Sequence, residues 1–160
     1  MRILACLLLL AGLVAPAAAA ERLPEDVTFD VIGGPPLAAG ALRGKPLLMV
    51  FWASTCAPCI AEMPDLAALY QELHPRGLQL VALAMPYDPP NRVAAAREVL
   101  ELPFPVALDI DAKLVRRLGV PPRTPQFRLI DASGRVVAVH DGVWPIDRLR
   151  AAIEPLLGDT

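Results

Sequence analysis

The sequence has 160 residues, a length that suits one domain of ordinary size. Hydrophobic residues make up 55% of the chain, which is enough for a substantial core and excludes a largely disordered protein. The formal net charge is −2 and no run of Lys or Arg is present, so nucleic acid is not expected as the main partner.

The beginning of the chain has the pattern of an export signal. Arg2 precedes an apolar run over residues 3–14, and four alanines at residues 17–20 come before the first acidic residue, Glu21. A positive first segment, a short apolar segment and small residues before a polar one are typical of a secretory signal peptide. We therefore expect cleavage near Ala20.

This pattern divides the chain into a signal peptide, residues 1–20, and one mature domain, residues 21–160. An uncleaved membrane anchor is the alternative, because residues 3–20 are apolar throughout and nearly reach the ~20 residues that a span needs. Cys6 lies inside the apolar run and is a poor candidate for lipidation. Either form places the domain in an oxidising compartment, for which we expect the periplasm.

The chain up to residue 52 predicts two strands. Residues 27–32 alternate weakly and are expected to form a short first strand, which a Gly-Gly-Pro-Pro turn ends at residues 33–36. Residues 37–42 have no clear pattern. Residues 47–52 are all apolar, which is typical of a central strand buried on both faces.

From Cys59 onward the periodicity becomes helical. Apolar side chains recur at three- and four-residue steps as far as Leu73, and Pro64 is expected to kink the axis. A further strand is predicted at residues 78–84. Asn91 is expected to cap a second helix.

The rest of the chain predicts a strand, a short helix capped by Asp109 or Asp111, a β-hairpin and a last helix. These elements cover residues 106–108 for the strand, residues up to Gly119 for the short helix, 126–130 and 135–140 for the hairpin, and 146–157 for the last helix. Alternating strands and helices followed by a hairpin imply an α/β fold with a mixed sheet and helices on both faces.

A C-x-x-C pair, Cys56 and Cys59, stands where the central strand passes into the first helix. Free backbone N–H groups and the positive end of the helix dipole should favour a thiolate at Cys56. Cys56 would then attack a disulfide, and Cys59 would resolve the mixed disulfide. The pair therefore predicts redox chemistry.

Two other uses of the pair remain open. A structural disulfide across so few residues would add little stability through chain entropy. A zinc site would need two more ligands, and the only histidines, His74 and His140, are far from the pair in sequence. No metal and no other cofactor is predicted.

Several motifs resemble a known family. Phe51-Trp52-Ala53 before the cysteines, Pro64 after them and Thr124-Pro125 before a hairpin resemble the thioredoxin fold. Glu62-Met63-Pro64 and the run from Phe127 to Asp131, together with the export signal, are similar to the exported TlpA/ResA-type branch of thiol–disulfide oxidoreductases.

The resemblance covers about residues 25–157. It implies a thioredoxin-like fold, with a central mixed β-sheet flanked by helices and a βα insertion at about residues 81–108.

The resemblance also implies a substrate-binding set. In this family the proline at position 125 is cis and lies across from the cysteines, so that the backbone of Thr124 can pair with an extended substrate. An ordinary trans proline is the alternative. Trp52 and Thr55 complete the set, although Thr55 stands where such sites usually have tryptophan, which predicts a smaller and more polar rim.

Glu62 is the third candidate catalytic residue. Thioredoxins carry a buried aspartate at the position that Val50 occupies here, so that base is missing. Glu62 follows Cys59 by three residues and shares its helix face, where it could accept protons during exchange. A solvent-facing carboxylate that only favours the helix N-terminus is the alternative.

These features together predict a periplasmic thiol–disulfide oxidoreductase that reduces protein disulfides. The resemblance implies roles such as cytochrome c maturation or copper-site assembly, with protein disulfides or thiols as substrates and a membrane thiol–disulfide electron donor. A protein thiol oxidant and a non-enzymatic Cu(I)- or heme-handling module are the alternatives.

Overall fold

The computed structural model describes residues 22–158. The predicted signal peptide or anchor, its cleavage point near Ala20 and Cys6 lie outside these residues. Within residues 22–158, no helix combines the length and the apolar character needed to cross a membrane.

The described chain alternates strands and helices. The strands are β1 (Thr28–Val31), β2 (Leu37–Ala38), β3 (Leu47–Trp52), β4 (Gln79–Ala84), β5 (Val106–Leu108), β6 (Gln126–Ile130) and β7 (Val136–Asp141). The helices are α1 (Ala57–Leu73), α2 (Pro90–Val99), α3 (Lys113–Arg117) and α4 (Ile146–Ile153), with 3-10 turns at Ala39–Leu42, His74–Arg76 and Glu154–Leu156.

All of these strands join one mixed sheet in the order β2-β1-β5-β4-β3-β6-β7. Strand β3 pairs in parallel with β4 and antiparallel with β6, so it lies inside the sheet with a neighbour on each side. Strands β1 and β2 and the hairpin β6–β7 pair antiparallel. The structure therefore confirms the predicted mixed sheet and the central place of residues 47–52.

Strand β3 is buried on both faces because its side chains alternate between two core clusters. Leu48, Val50 and Trp52 pack in the cluster that contains the buried faces of α1 and α4. The residues between them pack in the other cluster, with side chains of β1 and α3. Burial of each large apolar side chain contributes roughly 1.5–3 kcal/mol, so this strand anchors the fold.

Several predicted boundaries differ from the structure. The Asn91 cap is wrong: α2 begins at Pro90, and Pro89 holds the cap position without a side-chain hydrogen bond. Proline suits the first helical position because its fixed φ is helical and its missing N–H would be unpaired there. The last helix ends as an α-helix at Ile153, since Pro155 has no N–H to continue the ladder.

The N-terminus of α3 is held by the two predicted capping residues. The carboxylate of Asp109, which is only 4% exposed, accepts the N–H of Leu114 at 3.0 Å and that of Val115 at 2.8 Å. Asp111 accepts the N–H of Lys113 at 3.3 Å. The buried cap satisfies two backbone donors that would otherwise have no partner in the helix.

Substitution of Asp109 by alanine is expected to lower the free energy of unfolding by about 1–3 kcal/mol, because two buried N–H groups lose their acceptor. Urea denaturation measures the loss. The control is Asp111→Ala, at an exposed position, which should change stability by no more than about 0.5 kcal/mol. Equal losses in the two variants would contradict the buried-cap explanation.

Candidate active site

The two cysteines lie where β3 passes into α1. They form a disulfide in which the Cα atoms are 5.2 Å apart. Cys56 is the N-cap residue of α1 and half-buried, and its Sγ accepts the N–H of Cys59 at 3.3 Å. Cys59, in the first turn, is only 1% exposed. A partner can therefore reach Cys56 more readily than Cys59.

The first turn of α1 favours negative charge on Cys56. Pro58 holds φ in the helical range, and no acidic residue lies in that turn. The N–H of Cys59 points toward the sulfur, and the sulfur lies at the positive end of the helix dipole, which stabilises a thiolate once the disulfide is reduced. This geometry suits Cys56 as the attacking sulfur and the buried Cys59 as the resolving one.

Glu62 is half-buried, and its Oε1 accepts the N–H of Trp144 at 2.9 Å. Burial raises the pKa of this carboxyl above its usual value of 4.5, while the Trp144 hydrogen bond and the charge of His140 act in the opposite direction. A carboxylate with a raised pKa is a stronger base than an exposed one and so accepts a proton more readily. These contacts support the partly buried form of the Glu62 hypothesis over a fully exposed carboxylate.

The pH dependence of disulfide exchange should change in Glu62→Gln. The wild-type rate is expected to rise as pH passes through the raised pKa of Glu62, because the predicted transfer of the Cys59 proton needs the ionised carboxylate. The variant should lose that part of the rise, with a rate up to about 10²-fold lower at neutral pH. Stopped-flow rates with a small disulfide between pH 4 and 9 measure the profile.

The stability of the two proteins gives a second readout of Glu62. Because its pKa is higher in the folded state, the stability it contributes is present at low pH and is lost as pH rises through that raised pKa. Glu62→Gln should remove this pH dependence. The control is Glu98→Gln, at an exposed position of α2, and a wild-type profile in Glu62→Gln would contradict the proton-carrier role.

Thr124 and Pro125 are joined by a cis peptide bond, as the resemblance implies. They immediately precede β6, whose first residue, Gln126, lies opposite Phe51 near the end of β3. The cysteine loop, residues 53–56, joins β3 to α1. Because β3 and β6 are antiparallel, the start of β6 and the cysteine loop lie at the same edge of the sheet. The structure thus brings the cis bond and the cysteines to one edge.

The loop before Pro125 is fixed from both sides. The buried side chain of Gln126 donates to the carbonyl groups of Pro121 at 2.9 Å and Arg123 at 2.5 Å. The carbonyl of Pro125 accepts the N–H of Gly142 at 2.9 Å. Gln126 was not predicted as a site residue, and its position next to the proline is the only signal in the sequence.

The two remaining candidates for substrate binding lie in opposite environments. Thr55 is exposed beside Cys56, which fits a polar rim. Trp52 is 0% exposed and packs in the core with Cys59 and Met63. The prediction that Trp52 binds substrate is therefore corrected. As the last residue of β3, it packs in the apolar core that also contains Cys59.

Val50, at the position where thioredoxins carry a buried aspartate, is buried in the same apolar cluster as Trp52.

The two histidines contact backbone carbonyl groups. His74 Nδ1 lies 2.9 Å from the carbonyl of Leu78, and His140 Nε2 lies 3.0 Å from that of Val143. Over residues 22–158, no three His, Cys, Asp or Glu side chains group in a way that could hold a metal ion.

A buried acid beside the cysteine loop, Asp88, is absent from the sequence predictions. It is 5% exposed, and its carboxylate accepts the N–H of Ser54 at 2.5 Å and the Oγ–H of Ser54 at 2.6 Å. The two residues are 34 positions apart. The only sequence signal for this contact is a polar residue after each of two predicted strands: Ser54 follows residues 47–52, and Asp88 follows residues 78–84.

Comparison with known proteins shows the family of the chain. The family model described as Redoxin matches residues 18–153. The thiol-disulfide oxidoreductase ResA of Bacillus anthracis is 35% identical over 120 residues, which cover 73% of this chain and 66% of that protein. The ResA of a Bacillus cereus strain is 34% identical over 139 residues, which cover 85% of this chain and 77% of that protein.

A solved structure shares the fold. The thiol:disulfide interchange protein, a thioredoxin family protein from Chlorobium tepidum TLS, matches with a TM-score of 0.77 and 25% identity, over 88% of this chain and 100% of that one. The predicted thioredoxin-like fold is confirmed by this likeness and by the mixed sheet. The chain belongs to the Redoxin family and is a thiol–disulfide oxidoreductase with a thioredoxin-like fold.

Proposed function

We propose that this protein is an exported, periplasmic reductant of protein disulfides. The observation that carries the proposal is the C-x-x-C pair at the N-terminus of α1, with Cys56 accessible and Cys59 buried. Export is supported by the signal-like pattern of residues 1–20.

The reaction begins from the dithiol form. The Cys56 thiolate attacks one sulfur of the substrate disulfide, forms a mixed disulfide and releases the first substrate sulfur as a thiolate. The Cys59 thiol gives its proton to the Glu62 carboxylate and attacks the Cys56 sulfur. The Cys56–Cys59 disulfide forms, the second substrate thiolate leaves, and two electrons have passed to the substrate.

The other site residues hold the substrate and reset the site. The backbone of Thr124, at the same edge of the sheet as the cysteines, pairs with an extended substrate segment, and Thr55 forms part of the rim. A membrane thiol–disulfide electron donor then reduces the Cys56–Cys59 disulfide by the same exchange. We propose proteins of cytochrome c maturation or copper-site assembly as the substrates.

The reduction potential of the pair tests the direction of electron flow. Equilibration with glutathione buffers, followed by mass spectrometry of alkylated cysteines, should give a potential near that of thioredoxin, roughly −270 mV. A value near the roughly −120 mV of a strong oxidant such as DsbA would overturn the reductant role in favour of the thiol oxidant.

A further inference from the structure

The sheet edge that carries Cys56 also has an exposed aromatic residue that the exchange reaction does not use. The chain has four Phe, two Trp and two Tyr residues, all within residues 22–158, and Tyr87 is the only one of them that is exposed. Tyr87 is 52% exposed and lies in the loop after β4. Exposed aromatic side chains are frequent anchors in protein recognition.

This loop leaves the sheet beside the cysteine loop. Strands β3 and β4 run in parallel with Trp52 opposite Ala84, and the N–H of Met85 donates to the carbonyl of Trp52 at 2.9 Å. Tyr87 lies three residues after Ala84, and Cys56 lies four residues after Trp52. The topology therefore places the aromatic residue and the reactive sulfur on adjacent loops.

The two loops are held together by the contact between Asp88 and Ser54. The buried Asp88 carboxylate accepts both the N–H and the Oγ–H of Ser54, two residues before Cys56. The N–H of Asp88 also donates to the carbonyl of Met85 at 2.9 Å, which closes the turn that contains Tyr87. The backbone of Tyr87 is thus held next to the cysteine loop, and little backbone entropy is lost when a partner binds there.

The exposed surface of both loops is uncharged. Its residues are Thr55 in the cysteine loop and Tyr87 and Pro89 in the loop after β4. The exposed Ala57 and Pro58 at the start of α1 and Pro90 and Asn91 at the start of α2 are also uncharged, and the next exposed charge along α2 is Arg92. The two loops themselves therefore present no exposed charge to a partner, so they fit an uncharged, apolar segment better than a charged one.

We propose that Tyr87 determines substrate specificity by binding an apolar side chain next to the disulfide cysteine of an extended protein segment. It supplies the aromatic contact that Thr55 does not. This inference rests on the proposed disulfide reduction and names the chemistry of the segment that the site accepts.

The test uses two synthetic peptides, each with one cysteine held in a mixed disulfide. They differ only in the residue next to that cysteine, which is Leu in one peptide and Ser in the other. The reduced wild-type protein is expected to reduce the Leu peptide with a kcat/KM about tenfold higher than the Ser peptide, a discrimination of the size that one buried apolar contact provides. Tyr87→Ala should lose this preference, and Tyr87→Phe should keep it, because the ring remains. The control is Val99→Ala, at an 83% exposed position of α2 outside both loops, which should keep the preference.

Reduction of hydroxyethyl disulfide by the wild type separates the two proposals. Failure of the wild type to reduce this small disulfide would overturn the proposed function. Normal reduction of it with equal rates for the two peptides, or a preference that survives in Tyr87→Ala, would overturn the role of Tyr87 alone.

Discussion

Replacement of Cys56 by serine is expected to abolish disulfide reduction, with a loss of at least about 10³-fold. A serine hydroxyl remains protonated at neutral pH, so no anionic nucleophile forms at the N-cap of α1. Cys59 does not replace it, because it is 1% exposed and a substrate disulfide cannot approach its sulfur. Reduction of insulin in the presence of a chemical reductant, followed by turbidity, measures the loss.

The matched control is Cys59→Ser. With the pre-reduced protein and no added reductant, this variant keeps the attacking sulfur, so it should release about one equivalent of substrate thiol and then stop at the mixed disulfide. Cys56→Ser should release none. Comparable multiple-turnover activity in both variants would contradict the division of roles between the two sulfurs.

Replacement of Trp52 by alanine is expected to lower the free energy of unfolding by about 3–5 kcal/mol. Trp52 is 0% exposed at the end of β3, and it packs with Met63 and Cys59 of α1. The cavity left by the indole would lie in the core cluster that also contains Cys59. Denaturant titration of the oxidised protein measures the loss.

Trp52→Phe provides the control, because the indole Nε1–H is buried without a hydrogen-bond partner among the residues that the structure describes. Phenylalanine keeps most of the ring and removes this unpaired donor, so the loss should stay below about 1.5 kcal/mol. Unchanged stability in Trp52→Ala together with weaker substrate binding would contradict the core assignment.

The elements that the sequence predicts well are those with strong local patterns. Strand β3 is a continuous apolar run, and the buried face of α1 follows the 3.6-residue period from Cys59 to Leu73. Strand β2, of two residues, could not be predicted, because its only support is pairing with β1. The Asn91 cap failed because the prolines before it already fix the start of α2.

The candidate site shows the same division. The cysteine pair and the cis bond before Pro125 follow from local motifs, and both are present at one sheet edge. The acceptor contact of Glu62 with Trp144 spans 82 positions and the contact of Asp88 with Ser54 spans 34, so neither has a local signature. The prediction that Trp52 binds substrate is wrong, because the Phe51-Trp52-Ala53 motif identifies the strand but does not show which of its side chains are exposed.

Mass spectrometry of reduced Cys59→Ala after incubation with insulin tests the central claim most directly. We predict a mixed disulfide between Cys56 and one insulin molecule, whose two chains remain joined by their second interchain disulfide; a reductant should release it, and the Cys56→Ala/Cys59→Ala double variant should form no adduct. Absence of the adduct, together with tight Cu(I) binding by the reduced wild type, would contradict disulfide reduction and favour a metal-handling role.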